Sequence, residues 1–215
     1  MKLHSYWRSS CSWRVRIALE LKALPYELVP VNLLEGAQRT PDYRARNPMG
    51  QVPALEVEVD GATVSLAQSL PIIHYLDEVH PTPPLLPEHP LERQRARALA
   101  EIINSGIQPL QNLAVGQYLK AHQSELGVRT WSRHFVEKGF VALEAALQPT
   151  AGTYSVGDQV TLPDICLVPQ VYNARRFELD LAPFPTITAI EANLAKLPAF
   201  EAAHPDRQPD APPGS

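Results

Sequence analysis

The sequence predicts an α/β domain over residues 1–82, a linker at 83–89 and an all-α domain over 90–215. Three observations predict this. Strand and helix periods alternate through residues 2–79, and helical periods alone follow from residue 91. A proline-rich stretch, Pro81 to Pro90, separates the two textures and reads as a rigid linker. The length of 215 residues falls between one and two domains at about 150 residues each, and 45% hydrophobic residues supply enough material for true cores.

Residues 2–7 alternate weakly and form a short strand. Residues 12–23 carry apolar side chains at 15, 17, 18, 19 and 21, the pattern of a helix packed on a sheet. Tyr26 to Val31 is a second strand, 41–46 a weak helix, and Val52 to Val59 a strand with Pro53 at its start. Asp60-Gly61 is a hairpin turn into the strand Ala62 to Leu66. A helix from Ser69 to Val79 completes the order βαβ, loop and short helix, ββα. Beyond the linker, 91–121 and 129–148 are long helical patterns. Thr161-Leu162-Pro163-Asp164 begins another helix, with Thr161 as N-cap, Pro163 in the first turn and an acid at the third position. Two shorter helices are expected at 186–196 and 198–203, and the proline-rich tail, Pro205 to Pro213, as a frayed end.

Composition narrows the function. Nineteen basic and 23 acidic residues leave a formal charge of −4, without the basic stripe of a nucleic-acid binder. No segment reaches the about 18–20 apolar residues of a membrane span. The N-terminus lacks a signal-peptide pattern, so a cytoplasmic location is expected. Cys11 and Cys166 are too few for a disulfide framework, and the seven histidines make no paired ligand motif, so no metal is expected.

The segment Arg8-Ser9-Ser10-Cys11-Ser12-Trp13-Arg14 lies between the first strand and the first helix. Sheets of this kind place ligands there, where a helix N-terminus favours an anion. The competing reading is an ordinary serine N-cap beside a buried cysteine. Cys11-Ser12-Trp13-Arg14 occupies the place of a thioredoxin-like CxxC, but Arg14 stands for the second cysteine. A two-thiol redox cycle is therefore unavailable in this motif, whereas a single-cysteine mechanism stays open. Gln51-Val52-Pro53 places a proline at a strand start, either as a simple bend or as a turn exposing the Val52 backbone to a peptide-like ligand. Gln68-Ser69 precedes a helix, either as a cap or as an amide and hydroxyl gripping a carboxylate.

Ser9 to Arg16, Asn47-Pro48-Met49, Gln51-Val52-Pro53, Gln68-Ser69 and Ile107 to Leu113 together resemble the zeta class of the glutathione transferases, from residue 1 to Pro209. The resemblance implies a thioredoxin-like N-terminal domain, an all-α C-terminal domain, a homodimer and glutathione as cofactor. It implies that Gln68 and Ser69 hold the γ-glutamyl end and that the Val52 backbone, flanked by Gln51 and Pro53, pairs with the cysteinyl unit. Ser9, Ser10 and Cys11 become the catalytic residues. With Ser12, Trp13 and Arg14 they also form the cofactor-binding segment, and Gln108 and Asn112 reach the ligand from the second domain. The class motif Asn-Leu-Ser reads Asn112-Leu113-Ala114 here, so a hydroxyl at 114 is lost.

The implied reaction is the isomerisation of maleylacetoacetate to fumarylacetoacetate in aromatic amino-acid catabolism, with transferase side activity. A free thiol, with a pKa of about 8.5, is mostly protonated at neutral pH, so donors at the helix N-terminus are needed to favour the thiolate. Ser9 is the first choice for this role and Cys11 a weaker donor. Arg8 and Arg176 are expected to pair with the carboxylates of a small anionic maleyl substrate, and the choice of Arg176 over Arg175 rests on the family register. Competing functions are a maleylpyruvate isomerase, a thiol oxidoreductase using Cys11, and a glutathione-binding protein without turnover. Maleylpyruvate isomerases can carry arginines where this chain has Leu113 and Ala114.

Overall fold

The structure is a computed structural model and describes residues 1–123 and 125–213. Strands β1 (Lys2–Ser5), β2 (Glu27–Pro30), β3 (Ala54–Val59) and β4 (Ala62–Ala67) form one sheet in the order β2-β1-β3-β4. β1 runs parallel to β2 and antiparallel to β3, and β3 runs antiparallel to β4. The parallel pair needs a crossover, supplied by helix α1 (Ser10–Leu21). The antiparallel pair closes at Asp60-Gly61, where φ of 51° and 79° gives both central residues the left-handed backbone of a tight hairpin.

Helix α2 (Pro41–Arg46) starts at Thr40, whose hydroxyl accepts from Tyr43 N–H, and has proline at its first position. Helix α3 (Ser69–Val79) buries Leu70, Ile72, Ile73 and Leu76. α1 is buried almost all round, including Arg14 and Arg16. That explains its weak apolar periodicity, because two of its polar positions point inward.

The chain divides into two compact units, one of Met1–Pro84 with the segment from Leu197 on, the other of Leu85–Lys196. The second unit contains α4 (Pro90–Glu101), α5 (Leu113–Ala121), α6 (Val128–Leu147), α7 (Leu162–Arg176) and α8 (Pro185–Leu194). The expected continuous helix over 91–121 is interrupted. A π turn at Ile102–Ile107 and a 3-10 turn at Gln108–Gln111 separate α4 from α5. Pro109 has no N–H to continue an α ladder. Asn112 restarts the helix, its Oδ1 accepting from Ala114 N–H at 2.9 Å. Gly139 of α6 allows Ile107 to approach, since a Cβ there would overlap the Ile107 side chain.

At the start of α7, Thr161 caps as expected. Asp164 Oδ2 reaches back to Thr161 N–H (2.8 Å) and Thr161 Oγ1 (3.0 Å), while Asp164 Oδ1 accepts from Ser155 N–H (2.9 Å).

The tail departs from the expected frayed end. Helix α9 (Pro198–Ala202) packs against α1, and a 3-10 turn follows at Pro205–Arg207. Gln208 is buried and its Nε2 donates to Ala202 O and His204 O. Asp210 Oδ2 accepts from Trp7 N–H at 2.9 Å. Proline-rich composition suggested fraying, but these long-range hydrogen bonds order the segment.

Candidate active site

Strand register gathers the site of the first unit. β1 ends at Ser5, β3 begins at Ala54 opposite His4, and β4 ends at Ala67 opposite Ala54. The Arg8–Arg14 segment, Gln51–Pro53 and Gln68-Ser69 therefore all leave the sheet at the same end.

Ser9 is the N-cap of α1, with extended backbone (φ −68°, ψ 118°), and its Oγ accepts from Ser12 N–H at 3.2 Å. A cap uses the oxygen as acceptor and leaves the hydroxyl proton available to an anion. Ser9 and Cys11 are half-buried and Ser10 is 8% exposed. Cys11 is a free thiol. Ser12, Trp13 and Arg14 are buried, at 0%, 2% and 0% exposure. Burial leaves these three little exposed surface in this structure. The Ser12 hydroxyl has no hydrogen-bond partner among the described residues. Trp13 meets the His204 ring edge-on at 5.2 Å, and Arg14 Nη1 donates to Ser69 Oγ at 3.3 Å. Arg14 thus ties the start of α3 to α1. Arg8 is half-buried, with its guanidinium 5.3 Å from the Trp7 ring centroid.

The Val52–Pro53 peptide is cis. Tyr43 Oη and Asn47 Nδ2 both donate to Gln51 O, at 2.8 and 2.7 Å. Gly50, at φ +61°, turns the chain beside Gln38 O, which a Cβ would approach to 2.9 Å. With Gln51 O taken up in this way, the N–H and C=O of Val52 have no partner among the described residues. Unpaired backbone groups at the start of a strand are the kind that pair with an extended peptide. Burial pushes the Tyr43 phenol well above its usual value, so it stays protonated and donates.

Gln68 carries φ 71° and ψ 122°, has no side-chain cap bond and is exposed, whereas Ser69 is buried. A glutamine at positive φ costs about 1–3 kcal/mol, a strain characteristic of ligand clamps. The backbone spends that energy to hold an exposed amide at a helix N-terminus.

In the second unit, Gln108 begins the 3-10 turn and Asn112 caps α5, so one oxygen of Asn112 is already engaged. Gln111 and the fully buried Gln170 exchange amide hydrogen bonds, at 2.7 and 3.2 Å, and anchor this turn to α7. Trp131 Nε1 donates to Leu110 O at 2.7 Å. At the end of α7, Arg175 forms a bidentate pair with Glu191 (2.7 and 2.9 Å), whereas Arg176 Nη1 donates to Asn173 Oδ1 at 3.1 Å.

The sequence reading missed Tyr43, Gln111, Gln170, Arg16 and Asp210. Tyr43 sits in a helix read only as weak, and the glutamine pair joins residues far apart in the chain. Among the described residues no group of three or more potential ligands can hold a metal, and no helix is long and apolar enough to cross a membrane.

Unpaired backbone groups at Val52, a half-buried serine at a helix N-terminus and an exposed amide at another helix start thus lie at one end of the sheet. Family models for the glutathione S-transferase N-terminal and C-terminal domains match residues 8–79 and 132–198. The chain belongs to the glutathione S-transferase family, in its zeta class. The mouse maleylacetoacetate isomerase is 52% identical, over 98% of this chain and 94% of its own length. Maleylacetoacetate isomerase from Anaeromyxobacter dehalogenans 2CP-1, with glutathione in its active site, is 53% identical over 98% of this chain and 97% of its own, with a TM-score of 0.91. A second structure of that protein holds dicarboxyethyl glutathione and citrate. A zeta-class maleylpyruvate isomerase is 44% identical over 99% of this chain and all of its own, with a TM-score of 0.93.

Proposed function

We propose that this protein is a glutathione-dependent isomerase converting maleylacetoacetate to fumarylacetoacetate, in tyrosine and phenylalanine catabolism, with glutathione transferase side activity. The observation that carries the reading is Ser9, whose oxygen is engaged as a helix cap while its proton remains available beside Cys11. When bound, glutathione supplies a thiolate that adds to the cis double bond and departs after rotation, yielding the trans isomer.

Val52 holds the cysteinyl unit through its open N–H and C=O. Gln68 and Ser69 hold the γ-glutamyl end, and Arg14 orients Ser69. Ser9 donates to the sulfur, aided by the α1 N-terminus, with Ser10 and Cys11 beside it. Gln108 and Asn112 of the second unit are further cofactor-binding candidates, Asn112 through its amide N–H groups. Arg176 pairs with a substrate carboxylate, a role supported by the commitment of Arg175 to Glu191. Arg8 serves a second carboxylate. A relative that binds dicarboxyethyl glutathione supports a dicarboxylic partner for the thiol. The homodimer and a cytoplasmic location belong to the same reading, the latter supported by two cysteines that form no disulfide.

The 44% identical maleylpyruvate isomerase favours one second reading, a maleylpyruvate substrate. Leu113 and Ala114 stand uncharged where maleylpyruvate isomerases can carry arginines, which favours maleylacetoacetate. Purified protein assayed with each maleyl acid, with and without glutathione, tests the choice. The expected result is glutathione-dependent turnover, faster with maleylacetoacetate. Turnover of neither acid, or turnover independent of glutathione, overturns the reading.

A further inference from the structure

We infer that Asp210 and Arg16 are positioning residues for the Ser9 hydroxyl, and that the tail bearing Asp210 is part of the active-site loop. The inference rests on Ser9 as the thiolate donor. The Trp7 peptide is fastened on both sides. Its N–H donates to Asp210 Oδ2 at 2.9 Å, and its C=O accepts from Arg16 Nη2 at 2.9 Å. Arg16 is fully buried and is fixed by two more bonds, from Nη1 to Ser5 Oγ (3.0 Å) and from Nε to Ala203 O (3.1 Å). One guanidinium therefore joins the end of β1, the loop and the tail. Ser9 lies two residues beyond Trp7, and its own N–H donates to Tyr6 O at 2.9 Å. With Tyr6 and Trp7 held, the turn into the Ser9 cap has a single register.

Two further observations support this. Ala211 packs on the cluster of Tyr6, Trp7, Val31, Tyr43, Val52 and Ala54, so the tail braces both the Ser9 loop and the Val52 edge. Asp210 Oδ1 is buried and has no hydrogen-bond partner among the described residues. A neutral carbonyl would serve one N–H at lower desolvation cost, so the carboxylate is retained for its charge opposite Arg16. Burial pushes the Arg16 guanidinium down to about 10, against the opposing influence of Tyr26 and Asp210, so it remains a cation at neutral pH.

The test compares Asp210→Ala, Asp210→Asn and Ser9→Ala in the full chain. It measures the ultraviolet absorbance of the bound glutathione thiolate against pH, together with kcat and KM for the maleyl acid. A small displacement of a catalytic group costs up to about a hundredfold, so Asp210→Ala is expected to lower kcat about ten- to hundredfold. It should also raise the apparent pKa of bound glutathione and leave KM for the maleyl acid near the parent value. Asp210→Asn, which keeps an oxygen acceptor for Trp7 N–H, should recover part of both losses. Should Asp210→Ala not fold, Asp210→Glu, whose longer side chain displaces the Trp7 N–H, carries the same expectation. A folded Asp210 variant that loses only thermal stability, while Ser9→Ala abolishes the thiolate signal, overturns the inference and leaves the reading of Ser9 standing. If Ser9→Ala also keeps the signal, the reading of Ser9 fails and this inference with it.

Discussion

At the start of α1, Ser9 accepts a single backbone N–H and stays half-buried. At the start of α7, Thr161 and Asp164 are 3% and 0% exposed, and the Asp164 carboxylate receives Ser155 N–H, Thr161 N–H and the Thr161 hydroxyl. Both are helix caps, and both lower the energy of a helix N-terminus. The α7 cap is closed, because its donors and acceptors satisfy one another inside the protein. The α1 cap is open, because Ser9 and Cys11 are both only half-buried and the Ser9 hydroxyl has no acceptor among the described residues. A closed cap contributes stability, and an open cap retains a donor for chemistry. The difference lies in burial and in the third helical position, where α7 has the acceptor Asp164 and α1 has Ser12 and no acid in its first turn.

The largest expected effect separates the two. Ser9→Ala should reduce isomerase turnover by about 10²-fold or more, as when one donor to an anion is removed, and lower stability by about 1 kcal/mol through the lost cap. Steady-state kinetics beside a urea titration reads both; near-parent turnover in this variant, with loss in Ser10→Ala or Cys11→Ala instead, moves the role to those residues.

Arg176→Ala should lower kcat/KM for a dianionic maleyl substrate about ten- to hundredfold, with glutathione affinity unchanged. An uncharged electrophile assayed in parallel should lose little. Equal losses for both would make Arg176 structural.

Asp164→Ala should cost about 1.5–3 kcal/mol of stability, since two buried N–H groups lose a charged acceptor. Burial pushes the Asp164 carboxyl above its ordinary value, against the bonds from Ser155 and Thr161. Its denaturation midpoint should therefore fall while activity per folded molecule holds.

Gln68→Gly tests a helix start with no side-chain cap. Relief of positive φ should raise stability by about 1 kcal/mol, while glutathione KM rises because the amide is gone. A stability loss would show that the strain at 68 is offset locally.

The smallest change is expected from Thr161→Ala, about 1 kcal/mol or less, because Asp164 still accepts Thr161 N–H. Kinetic constants should match the parent. A loss of turnover here would break the distinction between open and closed caps.

Much of the fold was legible because it is written locally. The alternation of periods, the Asp60-Gly61 turn and the Thr161 cap depend on neighbours within a few residues, and the structure contains each of them. The loop Arg8–Arg14 and the pairs Gln51-Val52 and Gln68-Ser69 were legible as candidates for the same reason. Their roles were less so. Arg14 and Trp13 look like surface or contact residues in a list of letters, yet they are buried. The break between α4 and α5 was missed despite Pro109, and the π turn before it lies where Ile107 packs against Gly139.

By itself the sequence determined the order of elements, the two textures on either side of the linker, and the chemical types offered at the first helix start. Periodicity, turn residues and caps act over a few positions, and their physics needs no distant partner. Tertiary structure alone decided which polar groups are exposed, and so which cap is open. It decided the positive φ at Gln68, the glutamine pair of 111 and 170, and the return of the tail to Trp7. These depend on groups brought together across as many as 203 positions of the chain, where burial and hydrogen-bond geometry exist only once the chain has folded.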